Sequence, residues 1–313
     1  MKTWQQIVGH VTENPEQPFA LATLVQTEGS TYRKPGARCL IDSEGGTIGV
    51  LSGGCLEGEI ARHGVRVIAD NAPVMLSFDT RLLYGCDGRL KILVEPIPAA
   101  GENGNLVTQI GRVLDQREVC RVRTRFEGGK LGSESLPGNV LLAEEQGVLI
   151  DVIPPPVRLL LFGTGPEIEP LTELAAAIGW IVRHYRHPSE LSDDFRPDAQ
   201  TAAVVMNHNF GRDLLALDRL FRLQLRYIGL LGPRKRYAEL LARLSEHSDF
   251  DMPLNNLFAP AGLDIGSEAP EEIALSILSE VAAVLADRDG GFLRGRKIDI
   301  HGTSVIAAGG EAA

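Results

Sequence analysis

The stretch VRLLLF, from Val157 to Phe162, runs directly into Gly163-Thr164-Gly165, and this passage is the most informative one for the architecture of the second half of the chain. Apart from Arg158 this short run is apolar, and such a run predicts a strand that is buried on both faces. A Gly-x-Gly turn that leaves such a strand and opens a helix is typical of the phosphate loop in Rossmann-type folds. The passage therefore predicts a Rossmann-like, doubly wound parallel sheet that begins near Val157.

Strands and helices continue to alternate after this turn, as a doubly wound sheet requires. Before it, short strands follow one another with few helices, which predicts an α+β fold for the first half. The last three strands expected there lie over residues 119–126, 140–143 and 148–153. The two patterns meet at Pro154-Pro155-Pro156, because consecutive prolines continue neither a helix nor a central strand. We therefore expect an α/β protein of two domains, residues 1–153 and 157–313, with a frayed glycine- and alanine-rich end.

The sequence alone does not decide which ligand the Gly163-Thr164-Gly165 turn binds. The third glycine position of the dinucleotide motif is the bulky Ile168, and the acidic residue expected about 20 residues later is missing. The next strand instead ends near Arg186, which suits a phosphate better than a ribose hydroxyl. An NAD(P)-dependent oxidoreductase, with its cofactor at Gly163 and Gly165, is therefore the alternative function for this half.

Composition excludes several classes of protein. The net charge of −10 argues against nonspecific nucleic-acid binding, which needs a basic surface. No apolar run approaches the roughly 18 residues of a membrane span. The first residues lack the apolar core of a signal peptide, so we expect a cytoplasmic protein. The four cysteines include no CxxC pair, so each is expected to be a free thiol.

Cys55 follows Ser52, Gly53 and Gly54 and precedes an amphipathic helix predicted over residues 56–70. Two glycines let a backbone take positive φ or approach a ligand closely. A thiol at the start of a helix meets the positive end of the helix dipole, which favours the thiolate. The motif predicts an activated sulfur at a glycine-lined anion site, and a buried structural cysteine is the alternative.

A basic loop lies upstream of this cysteine, between two predicted strands. Arg33, Lys34 and Arg38 fall within six residues of an otherwise acidic chain. Arginine grips phosphate in a two-pronged manner and lysine acts as a point charge. The loop is therefore a candidate phosphate site, although a solvated hairpin loop has the same composition.

Two further positions are candidates for chemistry. Cys86 lies between glycines in YGCDG, residues 84–88, where a thiol is either exposed at a turn or merely tolerated in it. His208 follows a predicted parallel strand, at the edge where such sheets bind ligands. A hydrogen-bonded structural histidine is the alternative there.

These motifs, in this order, resemble the XdhC/CoxI family of molybdenum-cofactor maturation factors, the accessory proteins of xanthine and CO dehydrogenases. The resemblance spans roughly residues 20–285. The matching stretches are Gly29–Arg38, Ser52–Glu57, Gly85–Gly88, Gly163–Gly165, His208, Tyr227–Arg234 and Ala261–Ile277.

The resemblance implies a function. It implies a chaperone, rather than a turnover enzyme, that transiently binds molybdenum cofactor (molybdopterin). Such a protein supports sulfuration of the cofactor together with a cysteine desulfurase and inserts the cofactor into a molybdenum hydroxylase apoenzyme. A homodimer is also expected.

The resemblance also implies site residues. Arg33, Lys34 and Arg38 are expected to hold the phosphate of the cofactor, beside the turn at Gly53 and Gly54. Cys55 is the expected soft ligand of the metal or the sulfur relay, with Cys86 as the second thiol. Glu57 is expected to accept hydrogen bonds from the pterin or to satisfy the start of its own helix.

The chain departs from the family pattern at several positions. The substituted positions are Tyr32, Cys39, Asp87, Pro166, Asn209 and Phe210. The last three concern the Rossmann-like half, so they bear on a catalytic or metal role there and leave the N-terminal cysteine motif intact. A protein-interaction module with a vestigial Rossmann half is a further alternative.

Overall fold

The computed structural model describes residues 1–29, 31–54, 56–80, 88–101, 104–138, 145–246 and 254–295. Cys55, Cys86, the strand expected over 140–143 and the chain after residue 295 lie outside the described residues.

An antiparallel sheet of five strands forms the first layer of the N-terminal half, in the order β3-β2-β1-β5-β4. Its strands are β1 (Phe19–Gly29), β2 (Arg38–Ile41), β3 (Thr47–Gly49), β4 (Val74–Asp79) and β5 (Gly88–Ile97). The helices packed on it are α1 (Lys2–Glu13), α2 (Glu57–Asp70) and α3 (Leu106–Asp115).

The central strand β1 is buried on both faces, because its alternate side chains enter two different cores. Ala20 and Ala22 pack with α2 residues such as Ile60. Phe19 and Leu21 pack on the opposite face, in the core that contains the buried residues of α1 and α3. This alternation follows from the two-residue period of a strand. The sheet is thus held between α2 on one side and the α1–α3 pair on the other.

A second antiparallel sheet of three strands closes the α1–α3 side, in the order β7-β6-β8. Its strands are β6 (Cys120–Arg125), β7 (Gly132–Leu136) and β8 (Val148–Ile153). The sequence analysis missed β7, since GSESL has no apolar alternation. Polar contacts hold β7 in place: the Ser133 N–H donates to Glu95 Oε2 at 2.7 Å, and the Ser133 and Thr124 hydroxyls lie 2.8 Å apart.

The C-terminal half is the predicted Rossmann-like domain, with five parallel strands in the order β10-β9-β11-β12-β13. The strands are β9 (Arg158–Gly163), β10 (Ile181–Tyr185), β11 (Thr201–Met206), β12 (Ile228–Leu230) and β13 (Leu257–Phe258). The helices are α4 (Ile168–Ala177), α5 (Phe210–Phe221), α6 (Arg234–Ser245) and α7 (Pro270–Leu285).

Strand β9 shows why the sheet is wound on both sides. Leu160 and Phe162 pack in a core with residues of α5 and α6, whereas Leu159 and Leu161 pack with residues of α4 and α7. All four side chains are apolar and buried, whereas Arg158, the first residue of the strand, is only partly buried. This is the burial that the stretch VRLLLF predicts.

The two halves meet at the edge where the parallel strands begin. The Arg117 guanidinium, next to the end of α3, grips Asp198 through two hydrogen bonds of 2.8 and 3.0 Å and also donates to the Pro156 carbonyl. On α1, Lys2 Nζ donates to the carbonyl of Ala177 at 2.8 Å. The contact between the two halves therefore lies at the amino ends of the parallel strands, and α1 and α3 do not cover the carboxyl ends of these strands. Within the described ranges, no helix combines the length and the apolar character needed to cross a bilayer.

Candidate functional site

The glycine turn, residues 51–54, connects β3 to α2 and carries the predicted anion site. Gly53 has φ +80° and Gly54 has φ +109°, a region of backbone conformation that side chains with a Cβ rarely adopt. Both glycines are exposed, whereas Leu51 before them is buried. The turn thus presents backbone to solvent immediately before Cys55, which itself lies outside the described residues.

Glu57 holds this turn from the first residue of α2. Its carboxylate accepts hydrogen bonds from the backbone N–H groups of Leu51 at 3.0 Å, Ser52 at 2.8 Å and Leu56 at 3.2 Å. The Ser52 hydroxyl donates to the same carboxylate at 2.7 Å. Of the two roles expected for Glu57, the structure shows the local one, since the carboxylate is engaged by its own turn.

The electrostatics of Glu57 agree with this role. Burial acts to raise its pKa, but the hydrogen bonds from the Ser52 hydroxyl and from the backbone of Ser52 and Leu51 outweigh burial, so the pKa is lowered. The carboxylate is therefore ionised near neutral pH. A negative charge at the start of α2 is also favoured by the helix dipole.

The basic loop packs against the glycine turn. The Tyr32 ring lies 3.5 Å from the position that a Cβ atom on Gly53 would occupy. The ring is 64% exposed, so it covers the glycine on one side and faces solvent on the other. Two motifs that are about 20 residues apart in the sequence thereby form one surface.

Arg33 and Lys34 lie at this surface and line a cavity of about 450 Å³. Its other lining residues are Tyr32, Pro35, Gly36, Ala37 and Asp151. Two cations at one cavity suit an anionic group such as a phosphate.

Arg38 lies apart from this pair, although it belongs to the same sequence motif. It opens β2, is 2% exposed, and forms an ion pair with Asp151 on β8. Its guanidinium also lies 5.1 Å from the centre of the Trp4 ring. Arg38 does not line the cavity, and its charge is balanced by Asp151. In this structure Arg38 ties the basic loop to α1 and β8.

The described cysteines are structural. Cys39 is 1% exposed on β2, and burial together with the charge of Glu57 raises the pKa of its thiol to about 12. Cys120 is fully buried on β6, and burial also raises its pKa. Neither thiol is activated. Among the residues that the structure covers, no group of three or more His, Cys, Asp or Glu side chains could hold a metal ion.

The carboxyl edge of the parallel sheet carries a second cluster, around the Gly163-Thr164-Gly165 turn. The His184 ring lies 2.7 Å from the carbonyl of Gly163. A Cβ atom on Gly165 would clash with the carboxylate of Glu167 and would lie 2.9 Å from Nε2 of His208. The turn is therefore packed against an acid and an imidazole.

This packing does not fit a dinucleotide phosphate. In a Rossmann phosphate loop, glycines let backbone N–H groups approach the pyrophosphate. Here the close approach at Gly165 is to the Glu167 carboxylate, which repels phosphate, and Pro166 supplies no N–H donor. The sequence analysis did not single out Glu167, because it stands at a helix start where acids are common.

Comparison with known proteins agrees with both halves of the fold. The family model described as "XdhC and CoxI family" matches residues 13–79, and the family model described as "XdhC Rossmann domain" matches residues 159–281. Together these two matches cover more than half of the chain.

Individual proteins resemble the chain over most of its length. A protein of Bacillus subtilis (strain 168), named as a probable subunit of xanthine dehydrogenase, is 29% identical, over 85% of this chain and 93% of its own length. The molybdenum cofactor insertion chaperone PaoD of Escherichia coli (strain K12) is 26% identical, over 84% of this chain and 82% of its own length.

A crystal structure supports the fold as a whole. It is described as a xanthine dehydrogenase from Bacillus halodurans, and it superimposes with a TM-score of 0.76 at 24% identity, covering 92% of this chain and 97% of that one. At this identity the likeness concerns the fold alone. Since both halves of the sequence match the two parts of one family in the same order, the chain belongs to the XdhC and CoxI family.

Proposed function

We propose that the chain is a maturation factor that binds molybdenum cofactor at the glycine turn and delivers it to a molybdenum hydroxylase apoenzyme of the xanthine dehydrogenase type. One observation carries the proposal: the basic loop and the glycine turn before Cys55 form one surface, through the contact of Tyr32 with Gly53. The names of two relatives support the same role, since one is a molybdenum cofactor insertion chaperone and the other belongs to xanthine dehydrogenase.

The cofactor is the cargo of this protein, and its chemistry matches the surface. Molybdopterin carries a phosphate and a dithiolene-bound metal. In the proposal, Arg33 and Lys34 hold the phosphate, and the exposed backbone at Gly53 and Gly54 lets the ligand approach closely. Cys55 supplies a soft sulfur ligand for the metal.

Sulfuration extends the proposal to partners. A cysteine desulfurase supplies sulfur while the chain holds the cofactor, and Cys86 is the proposed second thiol. A homodimer is the proposed assembly. The proposed role of Arg38 is to support the basic loop, because its guanidinium is buried against Asp151.

Cofactor transfer to an apoenzyme tests the proposal. The purified chain, loaded with molybdopterin, is mixed with a molybdenum-free hydroxylase of the xanthine dehydrogenase type, and the recovered hydroxylase activity is followed. We expect the loaded chain to restore activity faster than the same concentration of free cofactor does. Equal rates with and without the chain would show that it does not act in insertion.

A further inference from the structure

The three-stranded sheet β7-β6-β8 has one face in the core and one face outside it. On β6, Cys120, Val122 and Thr124 are buried, and the first two belong to the core that contains α1 and α3 residues. The other residues of β6 point the opposite way, because the side chains of a strand alternate between its two faces. We call this side of the sheet the outer face. It consists of Arg121, Arg123 and Arg125 on β6 and the residues paired with them, which are Val152, Ile150 and Val148 on β8 and Leu136, Glu134 and Gly132 on β7.

The outer face carries an aliphatic row where a solvated sheet face usually carries polar residues. Strand β8 places Val148, Ile150 and Val152 on this face, and Val152 is 50% exposed. The acid of this strand, Asp151, points to the opposite side, because it pairs with the buried Val122. Antiparallel strands with one solvated face normally turn their polar residues outward. The reversed pattern of β8 is typical of a row that another protein covers.

A row of arginines on β6 runs beside this aliphatic row, and each arginine lies directly opposite one aliphatic residue of β8. Arg123 forms an ion pair with Glu134, and Arg125 forms one with Glu145. Arg121 donates to a backbone carbonyl and has no carboxylate partner among the described residues. Exposed ion pairs contribute little to folding, so these guanidinium groups can exchange their carboxylates for those of a partner.

The end of the outer face near the turn between β6 and β7 is concave and basic. Arg123, Arg125, Lys130 and Glu134 line a cavity of about 320 Å³ there. Within the described ranges, Lys130 forms no ion pair. With Arg121, the face therefore has four cations against the carboxylates of Glu134 and Glu145, although the net charge of the chain is −10. A local excess of positive charge favours an acidic partner.

The outer face lies beside the cavity that the proposed function assigns to the cofactor phosphate. Asp151 lines that cavity, and Val152, the next residue of β8, is on the outer face. Strand β8 is at the edge of its sheet, so only this strand separates the two surfaces. A protein that covers the outer face is therefore next to the cofactor cavity.

We propose that the outer face binds the hydroxylase apoenzyme, through a surface of that enzyme that combines carboxylates with aliphatic side chains. The inference rests on the proposed function, because it names the place where the recipient of the cofactor binds. Carboxylates of the partner meet the arginine row and the basic cavity, and its aliphatic side chains cover Val148, Ile150 and Val152. A second copy of this chain fits less well, because it brings another arginine row to the same interface.

Calorimetric titration of the full chain with a molybdenum-free hydroxylase of the xanthine dehydrogenase type, at two salt concentrations, tests this surface. Arg121→Glu together with Arg123→Glu reverses two charges of the outer face, so we expect the affinity for the hydroxylase to fall by about tenfold or more. Added salt is expected to weaken binding by the wild type more than binding by the variant, because salt screens the charges. The affinity for molybdopterin is expected to stay unchanged, because neither residue lines the cofactor cavity.

The control makes the same charge change on the other side of the main sheet. Arg62→Glu together with Arg66→Glu alters two exposed residues of α2, and its affinity for the hydroxylase is expected to stay within about threefold of the wild type. Equal affinities of the two double variants for the hydroxylase overturn the docking surface and leave the proposed function standing. Absence of a complex between the wild type and the hydroxylase contradicts the surface and the proposed function together.

A single substitution keeps the surface testable if the double variant does not fold. Val152→Asp changes a half-exposed residue, and its carboxylate repels an acidic partner and lies opposite Arg121. We expect the affinity for the hydroxylase to fall by about tenfold or more. Sedimentation measures the self-association of the same proteins. A folded Val152→Asp protein with wild-type affinity for the hydroxylase overturns the proposal, and loss of self-association alone assigns the face to a second copy of the chain instead.

Discussion

Reversing the two charges of the basic loop that line its cavity, Arg33→Glu together with Lys34→Glu, weakens molybdopterin binding by about 100-fold or more. Both side chains line the 450 Å³ cavity beside the glycine turn, where the proposal places the phosphate. A hydrogen bond to a charged group is worth about 1.5–3 kcal/mol, so the loss of two corresponds to a factor of this size. Fluorescence titration at fixed ionic strength measures the effect, because salt screens exposed charges.

The control for this variant reverses the charges of two arginines elsewhere in the chain. Arg62 and Arg66 are exposed on α2, so Arg62→Glu together with Arg66→Glu changes the net charge by the same amount away from the cavity. We expect molybdopterin affinity to change less than threefold in this control. An equal loss of affinity in both double variants would mean that net charge, and not the cavity, governs binding.

Replacing Glu57 with alanine lowers the free energy of unfolding by about 2 kcal/mol and also weakens molybdopterin binding. The variant leaves the N–H groups of Leu51 and Ser52 and the Ser52 hydroxyl without their acceptor. Donors that lose a charged acceptor cost about 1–3 kcal/mol in total when water replaces part of the interaction. Chemical denaturation measures the stability, and the same titration measures the affinity.

Glu59→Ala is the control, because Glu59 lies in the same first turn of α2 and carries the same charge. We expect its free energy of unfolding to stay within about 0.5 kcal/mol of the wild type. A Glu57→Ala protein that is as stable as Glu59→Ala would show that the carboxylate does not hold the turn.

The contribution of Glu57 also depends on pH. Its pKa is lower in the folded protein than in the unfolded chain, so the ionised carboxylate stabilises the fold above the unfolded pKa. This stability is lost as the pH falls through the lowered pKa. We therefore expect the stability difference between wild type and Glu57→Gln to be largest near pH 7 and to shrink steadily in acid. A difference that stays constant across this range would contradict the role of the charge.

The Rossmann-like half was predictable because its strands and turns are marked by residues that are adjacent in the sequence. From Leu159 to Phe162 strand β9 is buried on both faces, so these four residues are all apolar, and the prolines at 154–156 mark the change of pattern. The polar strand β7 escaped prediction for the opposite reason. It is fixed by Glu95, which is 38 residues from Ser133 in the chain, and nothing within GSESL announces that contact.

The candidate site shows the same limit. The sequence placed Arg38 with Arg33 and Lys34, since all three are basic and close together. The structure separates them, because β2 begins at Arg38 and turns it inward to Asp151, 113 residues away. Glu167 was missed because acids are common at a helix start, and because its approach to His208 Nε2, 3.8 Å away, is a tertiary contact. The contact of Tyr32 with Gly53 is likewise tertiary.

Titration of the wild type, Cys55→Ala and Cys39→Ala with molybdopterin measures whether the chain binds the cofactor through Cys55. We expect binding by the wild type, at least a tenfold loss of affinity in Cys55→Ala, and wild-type affinity in Cys39→Ala, whose thiol is buried with its pKa raised to about 12. No binding by the wild type, or equal affinity in all three proteins, would contradict this expectation.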